Sequence, residues 1–595
     1  MKNATFGTTG EVCFLSISVV KKFLRQKNPE AGSLTPKYAT IDNVPAFHVE
    51  NFGCRATQAD GAALDRQFEE RGLDRASASD ADLVILNTCT VTAAADQDAR
   101  AAIRRIQRQN PEARIVVTGC YAQRAPEEIA ALPGVTCVIG NSHKHQLAEI
   151  ALRNVFARSE FSKPASGFRF SASGDLASDV GLRTSDFGPR SSSFSDTPLA
   201  AEVSRSGHIG AFVPLANLTS RSREPEAGSL IFVSDIFAHT ELLAAPVFDV
   251  SGDGLGDSQD SQRTRPNLKV QDGCDNRCSF CVIPYVRGQS RSLPLPQILR
   301  EVNALVESGY REVVVSGINL GRWGRDLAVS DQPSAISDRP DVGPRTLDLG
   351  KTLAAEVRGL RSDVCFEDLL RAVLAETSLE KLRVSSVEPM DWSDELIALM
   401  AQSPRIAKHA HVPLQSGSDA VLRRMHRKYR PLHYREKIEK IRAAMPSAAI
   451  GADVMVGFPG ETDAEFEATR RLIEDLPFTY LHVFTYSARP GTPAAAMPNQ
   501  VPVRVARERN RILRELAAEK KLAFMRSFVG KTMEAITLRT CDGERGISGE
   551  VCTQALTDNY LKLHLSGRHA PNRWLRVKVE TVTDGALVGT RAVRC

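Results

Sequence analysis

The hydrophobic pattern of residues 46–150 alternates between short apolar runs and longer amphipathic stretches. Strand-like and helical segments follow one another in the order 47–52, 58–72, 83–86, 94–108, 115–118, a helix start at 126–128, and 135–139. Strands separated by helices of this length favour right-handed crossovers, and therefore a parallel sheet. The pattern predicts an N-terminal α/β domain over 46–150.

A second series of strands and helices fills residues 266–500. Six strand-like apolar runs recur there, near 267–271, 312–316, 381–386, 408–412, 449–456 and 480–485. Six βα units are typical of an open barrel related to the eight-fold βα barrel. A Pro- and Asp-rich stretch at 328–362 interrupts the third unit, and we expect it to loop out.

The remaining segments differ in character from these two domains. Residues 501–529 predict a charged connecting helix, and 530–595 predict a small β-barrel of short alternating strands with Gly turns. Residues 1–45 show no sustained period and are predicted to be a disordered extension. Residues 151–265 are predicted to be a linker that carries a Ser-rich insert. The predicted fold class is α/β throughout, with a β-barrel at the C-terminus.

Composition excludes several classes of protein but does not identify a binding partner. Hydrophobic residues make up 42% and charged residues 25%, which excludes a collagen-like or wholly disordered chain. No apolar run approaches the roughly 20 residues of a membrane span. The apolar run 13–20 follows Glu11 rather than a basic segment, so we predict no signal peptide, no membrane partner and a cytoplasmic location. In such a chain, 12 cysteines indicate metal or redox use rather than disulfides.

Basic charge is concentrated toward the C-terminus. The whole chain carries +5, whereas residues 501–595 hold 18 Lys+Arg against 10 Asp+Glu, a net charge of +8. A second basic group follows the first and fourth barrel strands, and it either contacts phosphates or forms a solvated basic face. Its members are Arg287, Arg291, Arg423, Arg424, Arg427, Lys428 and Arg430.

The most specific motif lies at 273–281, directly after the first barrel strand. Its spacing, Cys-x3-Cys-x2-Cys, places Cys274, Cys278 and Cys281 on one loop. Three thiolates there can hold three irons of a four-iron cluster, which leaves the fourth iron open to a ligand. The alternative is a zinc knuckle or a set of buried thiols. Zinc sites usually close with four ligands, and no second cysteine pair lies nearby.

Three further cysteines end three consecutive strands of the N-terminal domain. Cys54, Cys89 and Cys120 are separated by 35 and 31 residues, about one βα unit each. The carboxyl ends of parallel strands share one edge of the sheet, so we expect these thiols to converge on one site. Three unrelated buried thiols are the alternative. Cys137 lies inside the fourth strand and is assigned to the core.

The two cysteine triplets resemble a known family. The barrel motif, with Phe280 before its last cysteine, resembles the signature of the radical S-adenosylmethionine (SAM) superfamily. Both triplets together resemble the methylthiotransferase family of radical SAM enzymes, over 47–150 and 207–595 apart from the inserts. One departure is Thr57, because family members commonly carry Asn three residues after the first cysteine.

The resemblance implies two 4Fe–4S clusters and SAM as cofactors. The open iron held by the barrel triplet would bind SAM, and the N-terminal triplet would hold an auxiliary cluster that acts in sulfur insertion. One SAM supplies a methyl group to sulfur, and a second yields the radical that abstracts hydrogen from the substrate carbon. The electron donor and the sulfur donor that this chemistry needs are not identified by the sequence.

Four residues in or after barrel strands are candidate SAM contacts: Gly317, Glu388, Gln415 and Asp453. The segments that contain Gly317 and Asp453 resemble those that line the SAM site of the family, and Glu388 could accept hydrogen bonds from SAM. Gln415 is a polar side chain at the barrel mouth. The other three have ordinary alternatives: Gly317 also fits a plain turn, and Glu388 also fits a solvated acid at a strand end. An acid such as Asp453 within an apolar strand needs a polar partner, although not necessarily a cofactor.

The C-terminal barrel resembles the TRAM domain, an RNA-binding module of this family. Single-stranded RNA loops are read by stacked bases over a basic surface, so a tRNA anticodon loop is the expected partner. A basic barrel that only packs against the body is the alternative.

Segments 51–55 and 283–288 look most like the branch that modifies N6-threonylcarbamoyladenosine at tRNA position 37. Other branches modify isopentenyladenosine at position 37 or an aspartate of a ribosomal protein. A non-catalytic iron–sulfur or zinc scaffold that binds RNA is an alternative of another class.

Overall fold

The structure is a computed structural model that describes residues 45–156, 229–239, 265–327, 364–538, 552–583 and 585–592. The extension predicted for 1–45 falls outside this part of the chain except for its last residue. Most of the Ser-rich insert and the insert predicted at 328–362 also fall outside it. Among the described residues, no helix has both the length and the apolar character needed to cross a bilayer.

The N-terminal domain is a parallel sheet with helices. Its strands are β1 Ala46–Asn51, β2 Asp74–Arg75, β3 Leu83–Thr88, β4 Arg114–Gly119, β5 Val135–Gly140 and β6 Leu230–Phe232. Its helices are α1 Arg55–Glu69, α2 Ala93–Gln109, α3 Cys120–Arg124, α4 Pro126–Ala130 and α5 Leu147–Ala151. The strand order is β2-β1-β3-β4-β5-β6, and every neighbouring pair is parallel. The predicted parallel sheet is confirmed.

Burial on both faces explains the apolar strands of this sheet. Every residue of β3 is buried, as in parallel sheets that are covered by helices. Helix α2 turns Ala99, Ala102, Ile103 and Ile106 toward the sheet, at the spacing of an amphipathic helix. Cys137 is buried in β5, as predicted.

Strand β6 departs from the sequence interpretation, which placed residues 151–265 in a linker. Leu230–Phe232 pairs in parallel with β5, from Cys137↔Leu230 to Ile139↔Phe232, and closes that edge of the sheet. A strand of three residues gives no periodic signal, and its partner is about a hundred residues away along the chain. Only long-range pairing therefore identifies it.

The central domain contains the six predicted barrel strands. They are β7 Asn267–Lys269, β10 Glu312–Ser316, β11 Lys381–Val384, β12 His409–His411, β13 Ala449–Val456 and β14 Tyr480–Thr485, with the short pair β8 Gln271–Asp272 and β9 Arg291–Ser292 beside them. The helices are α6 Ile283–Arg287, α7 Leu295–Glu307, α8 Phe366–Glu376, α9 Asp394–Gln402, α10 Asp419–Arg424, α11 Pro431–Ala444 and α12 Asp463–Asp475.

These six strands form an open barrel. Two parallel three-stranded sheets, β7-β10-β11 and β12-β13-β14, are joined by the bridges Leu382↔Ile406 and Ser386↔His411. Side chains alternate along β13: Ile450, Ala452 and Val454 pack into the main hydrophobic core with the helices. The intervening Gly451, Asp453 and Met455 therefore face the barrel lumen.

The C-terminal part begins with helix α13 Val503–Arg526 and continues as a closed β-barrel. Its strands, β15 Thr532–Thr537, β16 Cys552–Thr557, β17 Lys562–Ser566, β18 Trp574–Thr583 and β19 Ala586–Arg591, follow the order β15-β16-β17-β19-β18.

This small barrel contacts the amino ends of the open barrel's strands. Arg383 Nη1 donates to the carbonyl of Asp558 at 3.0 Å, and Asn559 Nδ2 donates to the carbonyl of Ser447 at 2.9 Å. The cysteine triplets described next lie at the carboxyl ends of their strands.

Candidate active site

The three N-terminal cysteines follow three neighbouring strands. Cys54 comes after β1, Cys89 after β3 and Cys120 after β4, and β1, β3 and β4 are adjacent in the sheet. The register pairs Thr88 with Gly119, so Cys89 and Cys120 leave the sheet at the same level. The backbone at Gly53 adopts φ +105°, and a Cβ there would lie 2.4 Å from the Cys89 Cβ. Glycine thus lets the Cys54 loop approach Cys89 closely.

The surroundings of these thiols suit an anionic group with several thiolate ligands. Burial, followed by the nearby sulfurs of Cys120 and Cys54, raises the pKa of Cys89 to about 12. Asn141 Nδ2 lies 3.5 Å from Cys120 Sγ, and the buried Arg287 Nε has no hydrogen-bond partner among the described residues. Three convergent thiols with a cationic donor beside them fit the ligand set of an iron–sulfur cluster.

The barrel triplet lies on the loop between β8 and α6. Gly273 has φ +70°, and a Cβ there would lie 1.8 Å from the carbonyl oxygen of Gln289, so only glycine permits this turn. Burial, reinforced by Cys278, raises the pKa of Cys281 to about 12, and burial also raises the pKa of Cys274 to about 11. These thiols too become good ligands only when a metal displaces their protons.

The two triplets lie on either side of one domain boundary. Cys120 packs against Val282 and Val286, which directly follow the barrel triplet. Asn141 Nδ2, close to the Cys120 sulfur, also donates to the carbonyl of Val286 at 2.8 Å. Parallel strand ends of the N-terminal sheet therefore face the cysteine loop of the barrel.

A buried cluster of five charged side chains joins the two domains at this boundary. Asp60 of α1 accepts from Lys144 Nζ at 3.0 Å and from Arg287 Nη2 at 3.1 Å, and it also pairs with Lys269. Asp272 accepts from Lys269 Nζ at 2.9 Å and from Arg287 Nη1 at 3.0 Å. Three cations against two anions leave one positive charge beside the N-terminal thiols.

The charges in this cluster hold one another ionised. Burial alone would raise the pKa of Asp60, but Lys144, Lys269 and Arg287 outweigh it and hold that pKa well below its usual range. Burial likewise opposes the charge of Arg287, but Asp272, Cys120 and Asp60 keep its pKa well above its usual value. The sequence alone did not reveal this cluster, because its members are spread from residue 60 to residue 287.

Arg287 and Arg427 fit neither interpretation of the basic group, because they belong neither to a phosphate-binding surface nor to a solvated face. Both side chains are buried, and each pairs with carboxylates inside the protein. A guanidinium withdrawn from water must be neutralised internally, so it is not available to RNA. The sequence gives their positive charge but not their burial.

Glu388, a predicted SAM contact, is the ion-pair partner of Arg427. Arg427 Nη1 also lies 3.3 Å from Cys278 Sγ, so this pair links Glu388 to the barrel triplet. Asn319 Nδ2 lies 3.8 Å from Cys274 Sγ on the other side of the loop. Arg427 and Asn319 therefore lie next to the cysteines of this triplet. The spacing of the cysteine motif did not predict either neighbour.

The other three predicted SAM contacts also lie at strand ends or in the lumen. Gly317 directly follows β10, and a Cβ there would lie 2.8 Å from Gln271 Oε1, so close packing requires glycine. Gln415 has φ +63° and bridges to Val454 of β13. Asp453 faces the lumen with its carboxylate 3.4 Å from His411 Nε2.

A second contact between the domains fixes the loop after Cys89. Arg489, beyond β14, donates to Asp96 Oδ2 at 3.0 Å and to the carbonyl of Thr90 at 3.2 Å. Arg124 Nη2 donates to the same Asp96 oxygen at 3.0 Å. The loop that carries Cys89 is therefore held from both domains.

Known proteins share both parts of this arrangement. Residues 46–140 match the model of "Uncharacterized protein family UPF0004", and residues 268–473 match that of the radical SAM superfamily. Threonylcarbamoyladenosine tRNA methylthiotransferase MtaB of Bacillus subtilis is 30% identical over 88% of this chain and 90% of its own length. The Aquifex aeolicus protein of that name is 29% identical over 89% and 99%. The tRNA-2-methylthio-N(6)-dimethylallyladenosine synthase of Novosphingobium aromaticivorans is 31% identical over 83% and 86%.

Proposed function

The chain belongs to the radical SAM methylthiotransferase family, and on that premise we propose that it modifies tRNA. The reaction is transfer of a methylthio group to C2 of N6-threonylcarbamoyladenosine at position 37. The observation that carries the proposal is the pairing of two cysteine triplets across one domain boundary. Cys54, Cys89 and Cys120 would hold one 4Fe–4S cluster, and Cys274, Cys278 and Cys281 the other.

When bound, the clusters and SAM supply the radical, the methyl group and the sulfur. The chain's own residues bind and orient these groups and exclude water from them. Arg427 keeps a positive charge beside Cys278 and fixes the Glu388 carboxylate, which faces the same loop. Gly317, Gln415 and Glu388 are the proposed SAM contacts.

The substrate is RNA on this proposal, and the C-terminal barrel supports it. Exposed cations on its described surface include Lys531, Lys562, Arg573, Arg576 and Lys578. Such a surface suits the phosphates of an anticodon stem and loop. A cytoplasmic location, with an electron donor and a sulfur donor supplied by other proteins, belongs to the same proposal.

The names of the relatives give two different substituents on the adenosine that is modified. The MtaB relatives are named for threonylcarbamoyladenosine, and another relative is named for dimethylallyladenosine. We favour the first because the Bacillus subtilis and Aquifex aeolicus relatives, which align over 88% and 89% of this chain, both carry that name, whereas the relative named for dimethylallyladenosine aligns over 83%. The ribosomal-protein branch and a non-catalytic scaffold remain outcomes of the test.

Nucleoside mass spectrometry of tRNA from a deletion strain tests the proposal. We expect loss of the methylthio group from threonylcarbamoyladenosine alone. The wild-type gene and a Cys137→Ala variant should restore it, and a Cys281→Ala variant should not. Loss from dimethylallyladenosine instead would reassign the substrate, and unchanged tRNA would refute the proposed reaction.

A further inference from the structure

Three side chains on neighbouring strands of the open barrel meet inside its lumen. His411 ends β12, Asp453 lies in β13 and His482 lies in β14. The register pairs Asp453 directly with His482, and it pairs His411 with Gly451, two residues before Asp453. One imidazole nitrogen from each histidine and one carboxylate oxygen lie within 4.8 Å of one another.

The contact between His411 and Asp453 has the spacing of two ligands on one metal ion. His411 Nε2 and Asp453 Oδ1 are 3.4 Å apart, and this buried nitrogen makes no hydrogen bond within the described part of the chain. Two ligand atoms on a tetrahedral ion, each about 2.1 Å from it, lie about 3.4 Å apart. The distance between His411 Nε2 and Asp453 Oδ1 therefore fits two ligands of one cation better than a direct hydrogen bond.

The surroundings of His411 also favour a metal ligand. Its Nδ1 lies 2.9 Å from the Ser386 hydroxyl, which fixes the orientation of the ring. When Nδ1 donates to that hydroxyl, Nε2 presents a lone pair toward the Asp453 carboxylate, and a cation between them removes the repulsion. Metal-binding histidines are commonly held in this way through their second nitrogen.

We propose that His411, Asp453 and His482 bind a first-row divalent cation in the barrel lumen. Two histidines and one carboxylate are a donor set for Zn²⁺ or Fe²⁺ that leaves coordination positions open. His482 is exposed and is the register partner of Asp453, so its ring lies beside the other two ligands. The remaining ligands are oxygen donors, either water or an oxygen-bearing group bound in the lumen. This site is separate from both cysteine triplets and does not depend on which nucleoside is modified.

A matched histidine on the same strand gives the control. His409 faces the same lumen two residues before His411, and its Nε2 is hydrogen-bonded to the Tyr480 hydroxyl at 2.7 Å. It lies outside the proposed ligand set. A His409→Gln variant therefore removes a lumen imidazole from β12 and leaves all three proposed ligands in place.

The test measures Zn²⁺ bound to the holoenzyme after both triplets have been filled with iron and sulfide. Equilibrium dialysis and elemental analysis should give about one Zn²⁺ per chain in the wild-type protein and in His409→Gln. His482→Gln and Asp453→Asn should weaken binding at least tenfold, with unchanged iron content. Co²⁺ in place of Zn²⁺ should give visible absorption bands that disappear in the same two variants.

Two results would overturn the proposal. One is equal Zn²⁺ binding by the wild-type protein and His482→Gln, and the other is equal loss in His409→Gln. Because His482 is exposed and its replacement is not expected to disturb folding, that variant decides the question even if Asp453→Asn loses iron or fails to fold.

Discussion

Arg287 of the barrel donates from Nη2 to Oδ2 of Asp60 in the N-terminal domain, at 3.1 Å and out of contact with water. Asp60 lies in the helix that begins directly after Cys54, and Arg287 ends the helix that follows Cys281. One ion pair therefore ties together the segments that carry the two triplets. The relative placement of the two proposed clusters therefore depends on charged contacts that cross the domain boundary.

Replacing Arg287 with Met should weaken the contact between the two domains. The substitution leaves Asp60 and Asp272 with fewer partners in a buried site, and breaking a buried pair costs about 3–5 kcal/mol. We expect an earlier urea unfolding transition and loss of iron from the N-terminal triplet. Arg300→Met, at an exposed position of α7, should change stability by no more than about 0.5 kcal/mol. Equal transitions for the two variants would contradict a structural role for Arg287.

Each triplet should account for about half of the bound iron. A fully loaded chain with two four-iron clusters holds about eight irons. Cys89→Ala and Cys281→Ala should each reduce iron and acid-labile sulfide toward four per chain, because three ligands become two. Cys137→Ala is the matched control, since this buried cysteine lies in the same sheet outside both triplets. One zinc per chain and no iron would favour the scaffold.

Gly53→Ala should damage the N-terminal triplet specifically. The new methyl group would lie 2.4 Å from the Cys89 Cβ, and the backbone there has a φ of +105°. We expect a loss of stability above 1 kcal/mol together with reduced iron at that triplet. Gly72→Ala has a similar φ of +84° but no neighbour within 4 Å, so it isolates the backbone cost. Iron content should stay at the wild-type value in that control.

Iron loading should increase with pH between 7 and 9. Burial raises the pKa of Cys89 and Cys281 to about 12 and of Cys274 to about 11, so all three are protonated thiols in the metal-free protein. Because the thiolate is the ligand, iron must displace these protons, and a higher pH makes that displacement more favourable. Reconstitution at fixed iron and sulfide, followed by iron analysis, measures the trend. Loading that is independent of pH would contradict it.

Removing two cations from the C-terminal barrel should weaken tRNA binding. Arg576 and Lys578 are exposed on β18, whereas Val577 and Val579 between and after them are buried. Changing both cations to Ala should lower affinity and reduce the dependence of log affinity on log salt by up to about two. The double variant Arg104→Ala and Arg108→Ala removes two exposed charges from the N-terminal domain. Filter binding should show a smaller effect for that control.

The spacing of apolar runs and of cysteines along the chain was enough to predict the order of the elements and the two cysteine triplets. Alternating apolar runs located β3, β4 and the six barrel strands, because side-chain burial in strands and helices is periodic along the chain. The position of Cys54, Cys89 and Cys120 after successive strands placed them at one sheet edge, since parallel strands share a direction.

Which charges are buried, and which groups they contact, depends on how the separate elements pack together. Arg287 and Arg427 look like surface cations in the sequence, but packing withdraws both from water and pairs them with carboxylates. Strand β6 and the group formed by His411, Asp453 and His482 likewise join residues that are far apart along the chain. Such contacts form when separate elements pack together. The local periodicity of the sequence therefore cannot predict which distant side chains will be in contact.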